Sequence, residues 1–249
     1  GKTSPEELRS ATPDGITLEP AYNRENTQLS EQPLKAHPKW DLMTEIRVES
    51  TEQANREALH KLEQGATSLL FYLSGAIDLK TVLQNIQLEY ICLNLVTDSD
   101  PAGVARQLAA LIQERDLVPA ELEGSLNYDT LENRARTGTA FQDEEGDFKA
   151  LREAASLLPA GYRPYALNLN HFAHAGATHA QQLGLALALG YEYIRKLELS
   201  ETRGFWLHAG TGGDYYGEIC KYRALRRLWA QLQDELGLSR EELRLSAET

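Results

Sequence analysis

From Ser50 onward the chain alternates between two hydrophobic periods. Short continuous apolar runs, SLLFYL (68–73) and YICLNLV (90–96), predict strands buried on both faces. Between and after them lie amphipathic helices with recognisable ends. Ser50 or Thr51 caps a helix that Gly65 closes. Asp100 caps another, with Pro101 at its first position and Val104, Leu108, Leu111 and Ile112 on one face. Further strands are predicted at 122–128, 165–171, 204–209 and 243–248. Further helices are predicted at 78–86, 147–158, 178–197 and 214–237, the last ended by Gly237. The result is β/α alternation with connections long enough for parallel crossovers, and six strands in all. An open doubly wound sheet fits six strands; a closed eight-stranded barrel would leave two units unaccounted for.

Residues 1–50 follow a different rule. Five of the nine prolines fall there, Pro5, Pro13, Pro20, Pro33 and Pro38, and apolar periodicity is weak. Proline removes a donor and restricts its predecessor, so an extended arm is predicted over 1–50 and the β/α body over 51–249.

Composition narrows the function classes. The chain of 249 residues is 42% hydrophobic, enough for a sizeable core. A formal charge of −12 argues against nucleic acid and anionic membrane surfaces. No apolar run approaches the ~20 residues that span a bilayer, and the polar N-terminus is no secretory signal. Cys92 and Cys220 fall in a strand and a helix, as small residues of a reducing cytoplasm. His171, His174 and His179 lack metal-site spacing, so no metal is expected.

Three stretches resemble the methylmalonyl-CoA mutase family. TPDGITLEPAY (12–22) resembles T-P-E-G-I-x-I-x-P-L-Y. HFAHAGATHAQQLGLALALGYEY (171–193) resembles H-x-x-E-A-G-A and a helix ending G-x-E-Y. GFWLHAG…YYGEICKYRALRRLW resembles F-F-W…F-Y-x-E-I-A-K-x-R-A-x-R-R-L-W. Order and spacing agree across nearly the whole chain. The resemblance implies a (β/α)8 TIM-type barrel, here truncated to about six βα units, with the extended arm ahead of it. It also implies adenosylcobalamin as cofactor of the complex. The D-x-H-x-x-G segment that carries the lower cobalt ligand does not occur, so no cofactor is expected on this chain alone.

The departure from the family falls at 33–51, where R-Q-Y-A-G-F is replaced near Thr44 to Glu49 and no tyrosine is present. Mutase chemistry holds a carbon radical in a dry, crowded site. Thr44, Glu45 and Ile46 cannot form that aromatic wall, and Glu45 would repel the substrate carboxylate. A tyrosine from elsewhere, Tyr22 or Tyr128, would have to project over the cavity instead. The pattern is similar to the small, non-catalytic subunit of heterodimeric members, which pairs with a catalytic large subunit in the cytoplasm and uses the arm as part of the contact. By position, His171 at the end of the fourth strand matches the family histidine, as a vestigial catalytic residue. Ser125 and Asn127 match substrate-facing positions. Arg223, favoured over Lys221, matches K-x-R; the family's next arginine falls on Thr137, beside Arg136. The loop 210–213 before a helix is either an anion cradle or a plain connection. Two alternatives remain: an active acyl-CoA mutase with divergent site residues, and a small-molecule binding module whose last strand edge is protected by homodimer formation.

Overall fold

In a computed structural model the described residues are 4–23, 25 and 40–248. Part of the predicted arm, and the aligned stretch 33–39, lie outside them. The arm's described part holds a short antiparallel hairpin, β1 (Ser10–Ala11) and β2 (Thr17–Leu18).

The body then runs β3 (Met43–Val48), α1 (Thr51–Glu63), β4 (Ser68–Leu73), α2 (Leu79–Val82), β5 (Cys92–Thr97), α3 (Pro101–Glu114), β6 (Glu123–Asn127), α4 (Thr130–Thr137) and α5 (Glu144–Leu157). It continues β7 (Tyr162–Arg163), β8 (Tyr165–Asn168), α6 (Asn170–His174), α7 (His179–Leu197), β9 (Phe205–Gly210), α8 (Tyr215–Glu235) and β10 (Arg244–Glu248). The predicted caps form: Ser50 accepts from Gln53 N–H and Asp100 from Gly103 N–H.

Strands β3 to β7 make one parallel sheet in chain order, and β8 to β10 a second. Pro164, with no N–H to give a ladder, separates β7 from β8. Across that break the Asp129 carboxylate accepts from Asn168 N–H (2.8 Å) and Tyr193 OH (2.7 Å). Counting β7 and β8 as one position gives seven strands rather than six, because β3 lies in the stretch the sequence assigned to the arm. Side chains of β3 and β10 line one common cavity, so the sheets curve around a shared interior. This α/β arrangement is compatible with a TIM-like barrel, but β3 pairs only β4 and β10 only β9 among the described residues, and the ladder is not closed.

The apolar core lies outside the strands, under the helices. Ile46, Phe71, Leu93, Leu95 and Leu126 pack with α1 to α3 residues in one cluster; Leu167, Phe205 and Leu207 pack with Tyr193, Leu225 and Trp229 in the other. Burying an aliphatic or aromatic side chain contributes roughly 1.5–3 kcal/mol, so this shell stabilises the body. On α8, Leu225 and Trp229 are buried, whereas Ile219 is 39% exposed. A Cβ on Gly190 would come 2.5 Å from the Trp229 ring, so glycine there lets α7 approach α8. Gly190→Ala should lower the unfolding free energy by about 1–3 kcal/mol through overpacking. A urea titration checks this, and an unchanged midpoint would contradict the packing.

Candidate functional site

The inward faces of the strands carry polar and charged residues. In register, Arg47, Tyr72, Val96 and Asn127 form one row across β3 to β6, and Asn168, His208 and Ser246 a second across β8 to β10. The row one step nearer the strand starts holds Glu45, Leu70, Asn94 and Ser125. A β/α barrel usually fills this space with branched apolar side chains. Here it encloses a cavity of about 1260 Å³.

Two hydrogen-bond clusters hold the walls. Asn94 donates to Ser68 Oγ (3.0 Å) and accepts from Ser125 Oγ (2.8 Å). Asn127 Nδ2 lies 3.1 Å from His208 Nε2, joining residues 81 apart in the chain, and Ser246 Oγ contacts His208 Nδ1. The His208 ring stacks on Trp206, centroids 5.3 Å apart, and Trp206 Nε1 donates to Ser246 Oγ. Burial holds His208 down at about 4, well below the usual imidazole range. Burial, then Glu45 and Glu248, push Tyr72 up to about 12. Burial raises Asp129 to about 6 against the hydrogen bonds it accepts.

The matched positions separate. Ser125 and Asn127 are buried in β6, and Asn127 faces the cavity. His171 is not on a strand: β8 ends at Asn168, and His171 sits exposed in α6 at the cavity rim. Asn170 caused this, because the Asn168 carboxamide accepts its N–H and turns the chain into the helix. Arg223 is exposed on α8 and does not line the cavity. The buried partner of that pair is Lys221, bonded to Gly210 O (2.6 Å), Gln182 and Glu218 (2.6 Å). The Glu218 carboxylate also accepts from Gly212 N–H (2.9 Å), so an internal anion fills the loop 210–213. Burial pushes Glu218 up, but Lys221, Gly212 and His179 bring it below its ordinary value. Neither Tyr22 nor Tyr128 reaches the cavity: Tyr22 is exposed on the arm, and Tyr128 donates outward to Asp147. Tyr72 does line it, beside Glu45. Arg136 lines the rim, paired with Glu132 at 3.3 Å.

Sequence reasoning missed Tyr72, His208, Ser246 and Glu248. The alternation Trp206, His208, Gly210 against Phe205, Leu207, Ala209 already placed His208 on an inward face. Among the described residues, no three His, Cys, Asp or Glu are arranged to hold a metal, and no helix is long and apolar enough to cross a membrane.

Residues 71–249 match the family model for methylmalonyl-CoA mutase. The methylmalonyl-CoA mutase small subunit of Porphyromonas gingivalis is 30% identical, covering 91% of this chain and 40% of that protein. That of Streptomyces virginiae is 31% identical over 80% of this chain and 34% of its own length. The large subunit of Propionibacterium freudenreichii is 22% identical over 64% and 23%. The chain thus spans about a third to two-fifths of the length of the small subunits it matches. Among solved structures, a mandelate racemase/muconate lactonizing enzyme from Roseiflexus sp. aligns at TM-score 0.42 and 13% identity, covering 84% of this chain and 48% of its own, too distant to bear on fold or function.

His208 binds its proton more weakly folded than unfolded, so its contribution to stability is present above about 6.5 and is lost as pH falls toward about 4. The stability difference between the wild-type chain and His208→Gln should shrink over that window by up to about 3 kcal/mol, the value of the shift at 1.36 kcal/mol per pH unit. Urea unfolding of both proteins at pH 7 and pH 4 checks this; a constant difference would contradict it.

Proposed function

The chain belongs to the methylmalonyl-CoA mutase family, and on that premise we propose that it is the barrel portion of a non-catalytic small subunit, supporting isomerisation of methylmalonyl-CoA and succinyl-CoA by a catalytic large subunit. One observation carries the reading. Where catalytic members place an aromatic wall by the resemblance above, this chain projects Glu45 into the cavity, and Glu248 and Asp98 add carboxylates to the same walls. Two like charges about 4 Å apart repel by about 4 kcal/mol at an effective dielectric of 20. An acyl-CoA brings phosphates and, here, a second carboxylate into that field. His208 offers no compensating cation, because burial keeps it neutral.

Adenosylcobalamin belongs to the complex in this reading. The buried imidazole of His208 has both nitrogens engaged, by Asn127 and Ser246, and does not fit as an axial cobalt ligand. The segment 1–50 is proposed to contact the large subunit, and the cytoplasm to be the compartment.

Tyr72 favours a second reading, an active mutase with divergent residues, since it stands in the same inward row as Asn127, the partner of His208. Burial and the neighbouring Glu45 charge hold its hydroxyl protonated, which supports inertness over catalysis. Incubation of the purified chain with methylmalonyl-CoA and adenosylcobalamin should give no succinyl-CoA, and product should form only when a catalytic large subunit is added. Turnover by the chain alone would overturn the proposal in favour of the second reading.

A further inference from the structure

The cavity has more hydrogen-bond acceptors than its own donors satisfy. Asn127 is 5% exposed and faces the cavity, yet its Oδ1 has no partner among the described residues; the Asn170 Oδ1 at the rim has none among them either. Glu45, Asp98 and Glu248 line the same space with no arginine or lysine on them among the described residues; Glu248 accepts from Asn170 Nδ2 and lies 3.9 Å from His174 Nε2. Of the arginines that reach the cavity, Arg136 pairs with Glu132 and Arg244 with Asp41 and Glu123, while Arg47 lies over the Tyr72 ring at 5.0 Å and keeps its charge. Tyr72 keeps its proton beside Glu45, and neutral His208 adds no charge.

Buried acceptors without donors are costly, and unpaired carboxylates in a concave site attract cations. The space, about 1260 Å³, exceeds what a drug-sized ligand fills. We infer that this cavity is a binding site for a small organic cation rich in N–H donors, a primary ammonium or guanidinium compound. Its ammonium groups meet Glu45 and Glu248, and an N–H reaches the Asn127 carbonyl. The charge selectivity is thus opposite to that of an acyl-CoA site, and the inference stands whether or not the chain pairs with a large subunit.

Titration calorimetry of the whole chain with spermidine, at fixed ionic strength, tests it. One saturable site is expected. Glu45→Gln should weaken it by about tenfold, the effect of losing one charge-assisted hydrogen bond. Asn127→Leu should do the same; should that variant not fold, Glu45→Gln decides alone. Tetramethylammonium, a cation without N–H donors, should bind at least about tenfold more weakly. Absence of saturation into the millimolar range, an unchanged affinity in Glu45→Gln, or equal binding of tetramethylammonium would each overturn the assignment, the last two by showing attraction to the chain's net charge alone.

Discussion

Each strand of this body serves two environments, and that division governs everything else. Its outward residues are apolar and close-packed under helices. Its inward residues include many polar and charged side chains and surround a cavity they do not fill. Because stability is supplied on the outside, the inside is free to carry side chains that no core would tolerate. Those polar groups must then satisfy one another, since an unpartnered buried group costs about 1–3 kcal/mol. Asn94 with Ser68 and Ser125, and His208 with Asn127 and Ser246, do so. Asp129 does the same where Pro164 interrupts the ladder, bonding backbone and Tyr193 across the break.

The strands that the sequence disclosed are those with continuous apolar runs, such as 68–73, where local composition and tertiary environment agree. Strand β3 was hidden because it is an edge strand whose cavity side bears Glu45 and Arg47, so it reads as mixed polar sequence after a proline-rich stretch. The site was less legible than the fold. Position placed Ser125 and Asn127 inside, where the strand register keeps them. It misplaced His171, because a single carboxamide–backbone bond from Asn170 to Asn168 ends the strand early. It preferred Arg223 to Lys221, although two residues along a helix exchange an exposed face for a buried one. The pairing of Asn127 with His208 spans 81 residues, and no local pattern encodes it.

Family membership and chemistry come apart at a few inward positions. The scaffold needs only outward apolar residues, caps and close approaches such as Gly190 under Trp229. The reaction would need an enclosing aromatic wall and a field that accepts anions. Glu45, Glu248 and Asp98 place carboxylates on these walls, beside Arg47, Arg136 and Arg244, without disturbing the shell that folds the chain. On the proposed reading, an inert barrel therefore differs from an active one at a few inward positions and not in its shell.

Trp206 stands inside the cavity, stacked on His208, and reports directly on what enters it. Fluorine NMR of the chain carrying 5-fluorotryptophan, with the Trp206 resonance assigned by Trp206→Phe, measures whether methylmalonyl-CoA occupies the interior. The carboxylate-lined walls predict no saturable shift of that resonance up to millimolar thioester. A saturable shift at micromolar thioester would contradict the claim that this interior excludes acyl-CoA.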